Sequence, residues 1–212
     1  MIDREILEAR FNVYRLLSTV YRYPLQSEVL TALTNFELME GTQSLLESFR
    51  ELKLSVKGIK ETMVENLNIE MTRLMEGPGL TPAPPFASYY LNGKQLMGTA
   101  AQTARQTYLK WQVAPKNDSI PPDHISLELG FLAFLAKQAL DTLDIQQVEI
   151  LHASHLFLKE QLLPWLVQFC SCIASNTAES FFTALSRFTI LCTQADYDWL
   201  EDILSSEKVQ EI

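Results

Sequence analysis

Cysteine is scarce in this chain. The three residues Cys170, Cys172 and Cys192 are too few and too odd in number for a disulfide framework, which points to a reducing compartment and a cytoplasmic protein. Cys170-Ser171-Cys172 is too tight a pair for half of a zinc ribbon, so buried free thiols are expected. Glycine is sparse as well, at 7 residues, which argues against a turn-rich β architecture. No stretch approaches the roughly 20 apolar residues that a membrane helix requires, so no stable membrane insertion is expected. The opening MIDREILEARF carries acids early and lacks a continuous apolar run, unlike a secretory signal. There is no phosphate-binding G-x-x-x-x-G-K-S/T loop, no G-x-G-x-x-G and no G-x-S-x-G, and no arrangement of Ser, His and Asp suggests a triad. Neither a cofactor nor an enzymatic activity is therefore expected. Glu149-Ile150-Leu151-His152 has the spacing of a di-iron ligand pair. Such sites need a second copy on a facing helix, which the sequence lacks, and His155 adds only a helix neighbour, so no metal is expected. Basic residues are outnumbered 17 to 26, for a net charge of −9. That surface makes nucleic acid a poor partner and a cationic peptide a suitable one.

Helix-forming residues and apolar periodicity fill the rest of the chain. Hydrophobic residues make up 47%, enough for a core without staples. Asp3 is a good N-cap for a first helix whose stripe reads Ile6, Ala9, Val13, Leu17 and Val20, flanked by Tyr14 and Tyr21 and ended by Pro24. Helical patterns return over 27–38, 42–54, 59–75 and 99–113. The segment from His124 to about Leu140 is apolar on most sides, as expected of a central buried helix. Further helices are predicted near 145–173, with a kink or division at Pro164, and at 178–193 and 196–205. The sum is an all-α fold, a single-domain helical bundle of about ten helices over residues 1–212.

Two breaks interrupt this pattern. Residues 76–98 hold four of the nine prolines and four of the seven glycines, so no regular helix is expected there. The loop also carries Leu80, Phe86, Tyr89 and Tyr90. A solvated linker would be polar, so this one is expected to pack against the body and to carry function. The second break, 114–123, leads into Pro122-Asp123-His124-Ile125-Ser126-Leu127-Glu128. A carboxylate at Asp123 suits a helix N-terminus, either as an ordinary cap or as a functional group, and Glu128 lies on the His124 side of the helix. An acid–base pair of Asp123 and His124 in a helical enzyme is the rival reading, although no nucleophile, phosphate or cofactor motif stands beside it. Trp165, in Leu162-Leu163-Pro164-Trp165-Leu166, is expected to be a core residue.

These segments resemble the TorD/DmsD family of redox-enzyme maturation chaperones. The likeness rests on four groups of residues that come in the family's order: Tyr14-Arg15-Leu16-Leu17 with Tyr21 and Pro24; Glu70–Gly79 followed by Pro84-Pro85-Phe86-Ala87-Ser88-Tyr89-Tyr90; Pro122-Asp123-His124-Ile125 with Glu128; and Leu162–Leu166 with Phe169-Cys170. Met75 departs from the family's usual phenylalanine, Trp111-Gln112 from a common glycine, and Gln161 from a common histidine. The resemblance implies an all-helical chaperone that binds the twin-arginine signal peptide of a molybdenum-cofactor oxidoreductase, and the body of that enzyme, until cofactor insertion and folding precede export. It also implies, as an alternative, an assembly chaperone of a non-exported nitrate-reductase-type subunit. Some members dimerise by swapping domains. Guanine-nucleotide binding has been proposed for relatives, and no phosphate loop in this sequence supports it. The peptide-binding residues it implies are Leu74, Glu76, Pro84, Pro85, Phe86, Tyr90, Pro122, Asp123, His124 and Glu128. An apolar groove with acids at its edge would suit a peptide that joins two arginines to an apolar stretch.

Overall fold

The computed structural model describes residues 2–38, 41–58, 60–79, 81–113, 120–142 and 145–210. Among these, 77% are helical. The one β feature among the described residues is an isolated bridge between Phe86 and His124. Ten α-helices follow in chain order: α1 (Arg4–Val20), α2 (Ser27–Asn35), α3 (Gln43–Ser55), α4 (Glu61–Met71), α5 (Ala87–Leu91), α6 (Thr99–Lys110), α7 (Ile125–Asp141), α8 (Ile145–Phe157), α9 (Leu163–Asn176) and α10 (Ser180–Gln210). Two π-helical turns, Thr72–Glu76 and Leu158–Leu162, prolong α4 and join α8 to α9. The expected helix start at Ile59, the loop residue Leu80 and positions 114–119 of the second break lie outside the described residues.

The caps explain where several helices begin. The Asp3 carboxylate accepts from Glu5 N–H at 2.9 Å and starts α1. Thr42 does the same for α3 through Leu45 N–H. Pro164 has no N–H to give, and its ring crowds the preceding turn. The chain answers with the wide turn at Leu158–Leu162 and restarts as α9 with the proline in its first turn. The predicted division at Pro164 therefore takes the form of a π turn rather than a loop.

Three expectations need correction. The α1 face that packs is rotated from the predicted stripe: Leu7, Arg10, Val13, Tyr14, Leu16, Leu17 and Val20 are buried, while Ile6 and Ala9 are only half-buried. The two helices predicted at 178–193 and 196–205 are one, α10, which begins at Ser180. No proline or glycine interrupts it, and the Thr189 and Thr193 hydroxyls bond carbonyls of their own helix, Leu185 at 2.7 Å and Thr189 at 2.8 Å. Within 76–98, the chain past Pro85 contains the short helix α5, because its first amides find acceptors on a distant segment, as described below.

The core centres on α7, which lies against α1 and α8. Ile125, Leu129, Leu132, Leu135, Ala136 and Ala139 are all fully buried, as expected for a helix covered on most sides. The crossing with α1 is close. A Cβ on Gly130 would stand 3.1 Å from Ser18 Oγ, and that hydroxyl donates to Ser126 O at 2.7 Å. The long α10 packs along α3, α8 and α9.

Candidate functional site

Residues Ala83–Tyr90 form a strap laid across the start of α7. Prolines at 82, 84 and 85 keep its first half out of regular helix and leave it few amides to satisfy, and its second half is the start of α5. Ala83 N–H donates back to Leu74 O at 2.9 Å, which anchors its near end on the π turn after α4. At its far end it pairs antiparallel with the second break. Ile125 N–H donates to Pro85 O at 2.9 Å, and Ala87 N–H to Asp123 O at 3.0 Å. Phe86 and His124 face each other across this bridge, their rings edge to face at 5.3 Å.

Asp123 holds the strap. It is 0% exposed, and its Oδ2 accepts from Ser88 N–H at 2.7 Å. The residue at the mouth of α7 therefore caps a different helix, α5, where its charge also meets the positive end of that short segment. Its other oxygen, Oδ1, is buried without a hydrogen-bond partner among the described residues. The cap of α7 itself is His124, whose Nδ1 accepts from Ser126 N–H at 3.1 Å and lies 2.8 Å from Ser126 Oγ. An Nδ1 that accepts from an amide places the ring proton on Nε2, which faces Glu76 Oε1 at 3.4 Å. Asp123 and His124 thus bond different partners, Ser88 and Ser126.

Glu128 points into the core. It is 1% exposed, and its Oε2 accepts from Trp165 Nε1–H at 3.1 Å. Burial pushes its carboxyl well above the ordinary 4.5, the Trp165 bond opposes that shift, and the neighbouring Asp123 carboxylate adds to it. A carboxyl whose folded pKa is raised favours the folded state only while protonated. Glu128 costs nothing below its unfolded pKa, near 4.3, and withdraws stability as pH climbs from there toward the raised folded value. Glu128→Gln keeps the shape and cannot ionise. The melting-temperature difference between Glu128→Gln and wild type is therefore expected to move in favour of the variant from about pH 4.5 to about pH 8. Thermal melts across that range read it, and a difference that stays constant with pH would mean Glu128 is not a buried acid.

Trp165 is fully buried, as expected of a core residue, and its indole N–H holds Glu128. Tyr90 stacks on it at 5.5 Å and meets Phe169 edge to face at 6.2 Å. Burial drives the Tyr90 hydroxyl far above its usual range.

Of the ten residues named from the sequence, Glu76, Pro85, Phe86, Asp123 and His124 come together at the strap's bridge. Pro84 is buried beside them, Pro122 is half-buried, and the Pro122 carbonyl accepts from Tyr108 Oη–H at 2.9 Å. Leu74 is a core residue at 0% exposure. The acids divide: Asp123 and Glu128 are inside, and Glu76, with 29% of its side chain exposed, is the carboxylate at the surface. Ser88, quoted in the Pro84–Tyr90 group, and Tyr108 carry no site role in the sequence; their bonds to Asp123 and to the Pro122 carbonyl appear only in the fold.

Among the described residues no helix is long and apolar enough to cross a membrane. A family profile described as nitrate reductase delta subunit matches residues 37–171. The chaperone protein TorD of Aliivibrio salmonicida is 26% identical over 204 residues, covering 91% of this chain and 95% of its own. The Tat proofreading chaperone DmsD of Haemophilus influenzae is 27% identical over 194 residues, covering 89% of each chain. The crystal structure of a redox enzyme maturation protein from Archaeoglobus fulgidus shares the fold, with a TM-score of 0.56 at 23% identity over 85% of this chain and 93% of that one. The chain belongs to the nitrate reductase delta subunit family, that of the TorD and DmsD redox-enzyme maturation chaperones.

Proposed function

We propose that this chain is a cytoplasmic chaperone, acting as one domain, that binds the twin-arginine signal peptide of a molybdenum-cofactor oxidoreductase and holds it until the enzyme is complete. The observation that carries the reading is the likeness to TorD and DmsD chaperones over about nine-tenths of the chain, with the strap inside the matched region. The strap supports it chemically. Phe86 presents a half-buried ring beside the exposed Glu76 carboxylate, an apolar contact next to an acid. A peptide that carries arginines before an apolar stretch needs both. The family profile's description favours one second reading, a client that is a non-exported nitrate-reductase-type subunit.

The test is calorimetric titration of the full chain with the twin-arginine leader of the oxidoreductase encoded beside it, and with the same leader carrying two alanines for the arginines. Saturable binding that needs the arginines supports the reading. Binding of the mature subunit alone would transfer it to the second. Glu76→Gln is expected to weaken leader binding by about 1 kcal/mol, the upper end for an exposed ion pair. The wild-type association rate should fall with salt, since exposed charges are screened beyond about 8 Å at physiological ionic strength. A leader affinity unchanged in Glu76→Gln would take the surface carboxylate out of the site.

A further inference from the structure

On the side of the molecule formed by α2 and α3, a groove encloses about 450 Å³. Its lining is apolar at Leu38, Leu46, Phe49 and Leu54. Leu46 and Leu54 are 38% and 59% exposed, so their side chains are open to a partner. Along α3 and its last turn, Leu46, Phe49, Arg50, Lys53, Leu54 and Lys57 recur at three- and four-residue steps, so they form a single stripe along the groove. The two leucines stand eight residues apart, which is about 12 Å along the axis.

The charge of this stripe is opposite to that of the chain. Net charge is −9 overall, yet Arg50, Lys53 and Lys57 line the groove, and among the described residues Glu37 is the one acid there. Glu37 is already engaged by Lys53 at 2.8 Å, and Lys53 also donates to Phe36 O at 2.8 Å, closing the end of α2. Of the two acids on α3, Glu51 pairs with Arg187 at 2.8 Å and Glu47 accepts from Gln43 Nε2 at 2.8 Å. Arg50 and Lys57 are left exposed, without an ion pair among the described residues.

We propose that the α2–α3 groove docks an acidic amphipathic helix of a partner protein, with apolar anchors between Leu46 and Leu54 and carboxylates on Arg50 and Lys57. The apolar stripe supplies the contact area, its helical spacing suits a partner that repeats every three to four residues, and the unpaired cations select the sign. This surface is separate from the strap, and a ligand for it has the opposite charge to a twin-arginine leader. It does not depend on the function proposed above.

The test uses the full chain and two labelled synthetic helices. Both carry leucines at i, i+4 and i+7; one has Glu along its flanks, the other Lys at the same positions. With a net charge of −9, long-range attraction by itself favours the Lys helix. A preference for the Glu helix can come only from a local cationic site. Fluorescence anisotropy at low salt is expected to show the Glu helix bound at least about tenfold more tightly. Arg50→Glu/Lys57→Glu should invert that order, and Leu54→Ser should weaken the Glu helix, with circular dichroism and leader binding unchanged in each variant. No saturable binding of the Glu helix, or a preference that survives the charge reversal, overturns the proposal. Flotation with phosphatidylglycerol vesicles that is lost in Arg50→Glu/Lys57→Glu would assign the groove to a membrane surface. A wild-type dimer that the same variant dissolves in sedimentation would assign it to a second copy of the chain.

Discussion

Asp196→Ala is expected to destabilise the folded chain by about 3–5 kcal/mol, the cost of stranding one charge of a buried pair. Arg10 on α1 and Asp196 on α10 meet through Nε–Oδ1 at 2.5 Å and Nη2–Oδ2 at 3.2 Å, with 5% and 7% of their side chains exposed. Tyr14 Oη–H donates to the same Oδ2 at 2.6 Å, and the Arg10 guanidinium lies 5.2 Å over the Trp199 ring. Removing the carboxylate leaves the guanidinium in a dry site, and Arg10 has no way to shed its charge. Removing both members is a different matter. Arg10→Met/Asp196→Leu replaces the pair by apolar groups of similar size, and it should recover most of the loss. Urea denaturation of wild type, the single variant and the double variant separates the two contributions. A double variant as unstable as Asp196→Ala would mean that the pair itself, through its attraction and its hydrogen bonds, holds α1 to α10. A single variant within 1 kcal/mol of wild type would mean that water reaches Arg10.

The second large effect is at the strap. Asp123→Ala removes the acceptor from Ser88 N–H and leaves the first turn of α5 uncapped in a buried setting, at a cost of about 1–3 kcal/mol. Because α5 carries Tyr89 and Tyr90 and follows Phe86 directly, the strap should loosen as a unit, and leader affinity should drop by at least about tenfold, 1.4 kcal/mol. Asp123→Asn retains an acceptor, and asparagine caps nearly as well as aspartate. It should keep most of the stability and leader affinity within about threefold of wild type. Thermal melts beside calorimetric titration of the same samples read both quantities. If Asp123→Asn folds normally and yet loses leader binding as fully as Asp123→Ala, the carboxylate charge itself meets the client arginine, and Asp123 moves from a positioning role to a contacting one.

Much of this was legible beforehand because it is local. The 3.6-residue apolar repeat places α7 and exposes its burial on most sides, and Asp3 marks the start of α1 through its own neighbouring amides. Prolines at 78, 82, 84 and 85 rule out regular helix from residue 78 into the strap's first half whatever surrounds it. The aromatic content of 76–98 signals packing, and this holds for residues 83–90, which are buried or half-buried, but not for Leu91, Leu96 and Met97, which are exposed. Arg10 offered a signal that was passed over: a charged residue three positions from Leu7 and four from Tyr14, on a face otherwise apolar, calls for a buried partner.

The sequence alone determined the helical class, most helix boundaries and the interrupted segment that becomes the strap, since caps, periodicity and proline act within a few residues of one another. Only the tertiary structure decided which charges meet. Asp123 caps α5 across 35 residues of sequence, Arg10 finds Asp196 across 186, and Glu128 turns inward to Trp165 across 37. The tertiary structure also draws Glu37 to Lys53 and Glu51 to Arg187, which leaves Arg50 and Lys57 without an ion pair among the described residues. A carboxylate reads the same in sequence whether it caps, pairs or faces water. Its role follows from the donors that packing brings within about 3 Å, and that distance is set by helices folded from separate parts of the chain.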